Sequence, residues 1–185
     1  MNRGGYTLIE ILVVFTILTL MSGILLTYNR TGERQILLFR EQAKIISLIL
    51  RAKSFALGAY IQAGAPCGYG VHFDRPAKEV RIFKDSPSNG SGLSQDCSNP
   101  NKAEGPDYQY NPVTENLDPP IMEKLGVDFV IGEPMELNDI VFLPPEPRVA
   151  INGNPAPTGT FTVSISNNGT IKTVKVNSFG QISTN

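Results

Sequence analysis

The sequence predicts an α+β protein, with a long N-terminal α-helix, membrane anchor in its first half and amphipathic in its second, packed on a C-terminal antiparallel β-sheet head. Three observations carry this expectation. Apolar side chains crowd into the beginning of the chain, the stretch after it keeps helical spacing without Pro or Gly, and beyond residue 66 short strand-like runs alternate with turn residues. At 185 residues there is room for one core plus an anchor. Apolar residues make up 41% and charged ones 18%, an ordinary balance that excludes wholesale disorder and a polytopic membrane protein.

The anchor comes first. Residues 11–26 contain no charged side chain, and only Thr16, Thr19, Ser22 and Gly23 interrupt the hydrophobic ones. Residues 6–26 number 21, and at about 1.5 Å per residue a helix of that size crosses a hydrocarbon core of roughly 30 Å. The small pair Gly4-Gly5 lies before this run rather than after it. A secretory signal peptide has its cleavage site behind the apolar segment and loses that segment on cutting. Cleavage after Gly5 would instead discard residues 1–5 and retain the helix.

Glu10 stands out on physical grounds alone, because a carboxylate inside an apolar membrane segment is costly without a cationic partner. In a stack of staggered helices, the amine of a newly made N-terminus at Tyr6 reaches that depth, and the pairing would neutralise two buried charges. The competing reading has Glu10 reaching back to the head groups at the cytoplasmic end.

The run GGYTLIEILVV resembles the processing motif of type IV pilins and type II secretion pseudopilins. The resemblance implies a pilin-like fold and a structural subunit, not an enzyme. It also implies that a prepilin peptidase cuts between Gly5 and Tyr6 and methylates the new amine of Tyr6, and that Glu10 docks on the terminal amine of a neighbouring subunit. Two features depart from the usual pattern. Tyr6 stands where Phe is common, and the helix has Ser22-Gly23 where many major pilins have a proline. Arg3 and the precursor amine precede the helix, so the leader is expected in the cytoplasm and the rest beyond the inner membrane, first in lipid and then in a filament.

Residues 30–62 are expected to form the amphipathic half of the helix, after a membrane half at 6–29. One apolar stripe is Ile36, Phe39, Ala43, Ile46 and Leu50; a second is Leu38, Ile45, Leu48, Ile49, Ala52 and Ala56. Two stripes exceed what one sheet needs, so one face is expected on the chain's own head and the other on neighbouring subunits. Thr31-Gly32 marks a candidate bend, and Gly58 opens the exit.

The head, residues 63–185, reads as short strands. Residues 69–73 and 79–84 form a hairpin around Asp74-Arg75-Pro76, and residues 140–143 a third run. Residues 160–166 and 170–176 flank Asn167-Asn168-Gly169, which supplies the positive-φ positions of a tight hairpin, and residues 179–182 add a last short strand. Residues 85–139, rich in Ser, Asn, Pro, Gly and acid, read as loop-dominated. Charge is segregated: residues 30–84 hold ten Lys/Arg against four Asp/Glu, residues 85–139 two against eleven. That pattern fits contacts between oppositely charged surfaces of neighbouring copies, and equally a solvated acidic region.

Cys67 and Cys97 lie in turn-rich sequence outside the anchor and are expected to pair. Closing a loop of about thirty residues contributes roughly 3 kcal/mol in an oxidising compartment. No CxxC arrangement, phosphate loop or nucleophile elbow is present, and His72 is the single histidine, so no catalytic group, cofactor or metal is expected. Asp96, Glu104 and Asp107 lack calcium-loop spacing.

Within the family, "LILRAKSFALG" and "IKTVKVNSFGQIS" are similar to the H-type minor pseudopilins of type II secretion and related minor pilins. The resemblance implies partners in other pilin or pseudopilin subunits, the prepilin peptidase and an inner-membrane assembly platform. A major type IV pilin is the alternative. A DNA-binding minor pilin for DNA uptake is another, but nucleic acid is not expected as a partner, because residues 140–185 offer only Arg148, Lys172 and Lys175 against Glu146.

Overall fold

In a computed structural model, residues 7–59, 66–86, 106–144 and 148–185 are described. They divide into two compact units, residues 1–37 and 38–185. One helix, α1 (Leu8–Ala59), supplies the described part of the first unit and the opening of the second. The backbone stays helical through Thr31-Gly32, the candidate bend.

In the first unit, the 18 residues Leu8–Leu25 have a mean hydropathy of 2.4 and none of them is buried. This is the one helix among the described residues long and apolar enough to cross a membrane. Its polar side chains are satisfied within the helix. The hydroxyl of Thr16 donates to the Leu12 carbonyl at 2.7 Å, that of Thr19 to Phe15 at 3.0 Å, and that of Ser22 to Leu18 at 2.7 Å. A hydroxyl bonded to its own helix can sit in lipid without an orphaned donor.

In the second unit, the two apolar stripes of α1 part company. Leu38, Ile45, Leu48, Ile49, Ala52 and Ala56 are all buried, whereas Phe39, Ala43 and Leu50 are exposed. Polar anchors fix the buried face to the head. The Gln42 amide donates to the Thr173 carbonyl at 2.8 Å, and Glu41 accepts from the Gly126 N–H at 3.4 Å. Glu41 also pairs with Lys44 at 3.1 Å, which is how a carboxylate is accommodated on that face.

The strands follow in chain order: β1 (Gly68–Asp74), β2 (Glu79–Asp85), β3 (Asn116–Lys124), β4 (Asp128–Val130), β5 (Met135–Glu136), β6 (Asp139–Leu143), β7 (Arg148–Ile151), β8 (Thr160–Asn167), β9 (Thr170–Asn177) and β10 (Ile182–Thr184). They make two sheets, β3-β2-β1-β6-β7 and β10-β9-β8-β4. Every pairing is antiparallel except that β5 adds to β8 in parallel, a departure from the purely antiparallel head expected.

The expected hairpins form. In β1–β2, Asp74 faces Glu79, and the Asp74 carboxylate accepts from the Ala77 N–H at 3.0 Å across the turn. In β8–β9, Asn167 faces Thr170 and the two turn residues Asn168 and Gly169 both have positive φ, +49° and +84°. That is the type I′ geometry whose twist matches the flanking strands. Gly70 has no room for a side chain: a Cβ there would lie 2.6 Å from both the Ile140 carbonyl oxygen and the Phe83 ring. This close approach lets β1 pair with β6 over the Phe83 side chain.

The expectation of a loop from 85 to 139 is corrected over its second part, which contains β3, β4, β5 and the start of β6. Pro119 and Pro120, which argue against a strand, sit in β3 at the sheet edge. The register there jumps from Ile82↔Ile121 to Phe83↔Asn116, so the residues between bulge away from the ladder.

Candidate functional site

Two groups of residues bear on function, one in each unit. In the first unit α1 begins behind Thr7, with Glu10 in its first turn. The carboxylate of Glu10 accepts from the Thr7 backbone N–H at 3.3 Å, and the Thr7 carbonyl accepts from the N–H groups of Glu10 and Ile11 at 3.1 and 3.4 Å. This is the carboxylate half of a capping box: Thr at the N-cap, Glu three residues on, and an otherwise orphaned donor satisfied. A negative group also suits the positive end of the helix. Thr7-Leu8-Ile9-Glu10 ahead of an apolar run is the sequence signal for it, and a reading of Glu10 as a misplaced charge alone misses it.

Glu10 opens a shallow groove with Ile11, Val14, Phe15 and Leu18 along one face of the helix. The residues of the expected cut, Gly5 and Tyr6, lie outside the described residues.

In the second unit, Cys67 is buried immediately before β1, and its backbone N–H donates to the Asp85 carbonyl at 2.9 Å. Its expected partner Cys97 lies outside the described residues, as do Asp96 and Glu104. Asp107 is described, and it does not stand alone. The fold brings it together with Asp85 at the end of β2 and Glu115 just before β3, one carboxylate oxygen of each lying within 4.8 Å of the others. The separations in sequence, 22 and 8 residues, follow no ligand-loop spacing, so only the fold reveals the group.

The three carboxylates have different surroundings. Asp107 is exposed and accepts from the Gln109 N–H at 3.0 Å. Glu115 is buried and accepts from the N–H groups of Ser86 at 3.1 Å and Asn111 at 2.8 Å. Asp85 has 0% of its surface exposed, and neither carboxylate oxygen has a hydrogen-bond partner among the described residues. Burial foremost, then the charges of Glu115 and Asp107, push its carboxyl up to about 8; the nearby Tyr108 N–H pulls the other way without reaching hydrogen-bond geometry. Burial likewise raises Glu115 to about 7, against the pull of its two backbone donors. Tyr108 holds Asp107 in position: its backbone takes φ +57°, and its ring packs in a buried cluster with Phe83, Val141 and Ala150.

His72 sits on β1 with Nδ1 2.8 Å from an Asp139 oxygen and its ring 4.7 Å from that of Tyr110. Tyr110 in turn accepts from Arg81 at 2.9 Å and donates to Asn116 at 2.7 Å. These contacts tie β1, β2 and the 106–116 segment together, and they account for the histidine as a packing residue.

Residues 1–26 match the family described as the prokaryotic N-terminal methylation motif. No curated protein and no solved structure was found similar to the chain. The matched segment ends within the apolar helix, and it contains Gly5, Tyr6 and the capped Glu10. The chain thus carries the prokaryotic N-terminal methylation motif at the start of a membrane-length helix.

Proposed function

We propose that the chain is a structural subunit of a type IV pilus or type II secretion pseudopilus, a minor component and not an enzyme. The observation that carries this reading is the methylation motif leading directly into a membrane-length helix, Leu8–Leu25, none of which is buried. Prepilin peptidase cuts between Gly5 and Tyr6 and methylates Tyr6, removing residues 1–5. Residues 6–29 then hold the subunit in the inner membrane until the assembly platform draws it into a filament, and residues 63–185 are the head beyond the membrane.

Glu10 is the docking group. The Thr7 N–H occupies one oxygen, and the rest of the carboxylate is open toward the amine of Tyr6 on a neighbouring subunit. A Cys67–Cys97 disulfide between the two cysteines of the sequence fits an extracytoplasmic head. The minor role rests on the similarity of the second helical stretch and the closing strands to H-type subunits.

The test is Glu10→Val in cells with an active assembly machine. The expected result is normal loss of residues 1–5 and a methylated Tyr6 by mass spectrometry, with the subunit missing from sheared filaments. Wild-type incorporation of the variant refutes the docking role, and an uncut wild-type chain in the presence of prepilin peptidase refutes the whole reading.

A further inference from the structure

We propose that Asp85, Asp107 and Glu115 bind a calcium ion that ties the end of β2 to the segment leading into β3. Calcium takes oxygen ligands at about 2.3–2.6 Å, so two oxygens on one ion lie at most about 5 Å apart. One oxygen from each of the three carboxylates meets that limit, at 4.8 Å or less. Three acids in one place carry no proposal by themselves, since acidic groups gather on many surfaces.

Asp85 supplies the independent observation. Its side chain is wholly buried, it points into the group, and both its oxygens are without a hydrogen-bond donor among the described residues. A buried carboxylate in that state is among the costliest arrangements a core can hold. None of the ion pairs among the described residues involves Asp85, Asp107 or Glu115. A proton on Asp85 would serve one oxygen and still need an acceptor. A cation serves all three residues at once and cancels most of their mutual repulsion.

The donor set selects the ion. Carboxylate oxygens alone favour hard cations over zinc or copper, and the single histidine, His72 on β1, is engaged with Asp139. Two of the three ligands are already held, Glu115 by Ser86 and Asn111 and Asp107 by Gln109, so little order is lost on binding. They come from a strand end, a turn and a strand approach, an irregular set that suits the flexible coordination of calcium. Magnesium requires near-octahedral geometry and keeps several waters, which the buried Asp85 side cannot supply.

The experiment uses the full chain in detergent, stripped with a chelator and dialysed, then titrated with calcium or magnesium by calorimetry and followed in thermal unfolding. The expected result is one calcium per chain with a rise in Tm, and magnesium at least tenfold weaker. Asp107→Asn, at an exposed position, is expected to stay folded by circular dichroism and weaken calcium at least tenfold, and Asp85→Asn to abolish the response. Three results overturn the proposal: a folded wild-type chain with neither heat nor Tm change at millimolar calcium, equal responses to magnesium and calcium, or undiminished binding by Asp107→Asn.

Discussion

The two apolar stripes in the second half of α1 have the same kind of residues at the same helical spacing, and the fold treats them oppositely. The stripe through Leu38, Ile45, Leu48, Ile49, Ala52 and Ala56 is sealed against the head. The stripe through Phe39, Ala43, Ile46 and Leu50 remains on the outside, partly or fully exposed. A hydrophobic period therefore says that a face will be covered, not by what. The head covers one face only, and the outer one stays exposed; in the proposed function a neighbouring subunit packs on it.

The largest effect should come from the sealed stripe. Ile49 is 0% exposed, and Ile49→Ala removes buried methyl groups and leaves a cavity, at a cost of about 2–5 kcal/mol. Denaturant unfolding of the full chain in detergent should show the lowered midpoint with little change in slope. A loss below about 0.5 kcal/mol would mean that this helical face is not part of the head's core.

The sealed side of the head also contains carboxylates, and Glu41 and Asp85 differ as the stripes do. Glu41 has Lys44 and the Gly126 N–H, while Asp85 has no donor among the described residues. Asp85 and Glu115 have carboxyls raised on folding, to about 8 and about 7. The folded chain therefore binds protons more tightly than the unfolded one. Their favourable contribution is full below the ordinary carboxylate range and is lost as pH rises through 7 to 8. In chelator, stability should fall between pH 5 and pH 8.5 by on the order of a few kcal/mol. Asp85→Asn should flatten that slope, and a wild-type chain equally stable at both pH values would show that Asp85 is ionised at no cost.

How much of this was legible in the sequence follows from the range of the interactions. The helix, its two stripes and the β1–β2 and β8–β9 hairpins depend on neighbours a few residues apart, and each was readable from its own residues. Which stripe would be buried was not, because that depends on Thr173 and Gly126 arriving from far along the chain. Strand β3 was masked by Pro119-Pro120, which are tolerated only because the strand lies at an edge with a bulge. Strands β4 and β5 have three and two residues, too few for any period to register. Glu10 was conspicuous as a charge among apolar residues, and its capping role was written in Thr7-Leu8-Ile9-Glu10. The acidic group had no such signature: Asp85 read as the first residue of the acidic loop stretch, and its burial at the end of β2 is a product of the fold.

The smallest effect on stability belongs to the outer stripe and tests the comparison most directly. Leu50 is 53% exposed, so Leu50→Ala gives up little buried area and should change stability by less than about 0.5 kcal/mol. Phe39→Ala should cost slightly more, since the Lys172 ammonium lies 4.7 Å from the centre of its ring, a contact contributing on the order of 0.5 kcal/mol at an exposed site. Both variants should be cleaved and membrane-inserted like the wild type, yet be recovered less in sheared filaments. If Leu50→Ala instead lowers the unfolding midpoint as far as Ile49→Ala, the two stripes serve one core and the outer face is not a docking surface. If it assembles normally with unchanged stability, neighbouring subunits do not use this stripe.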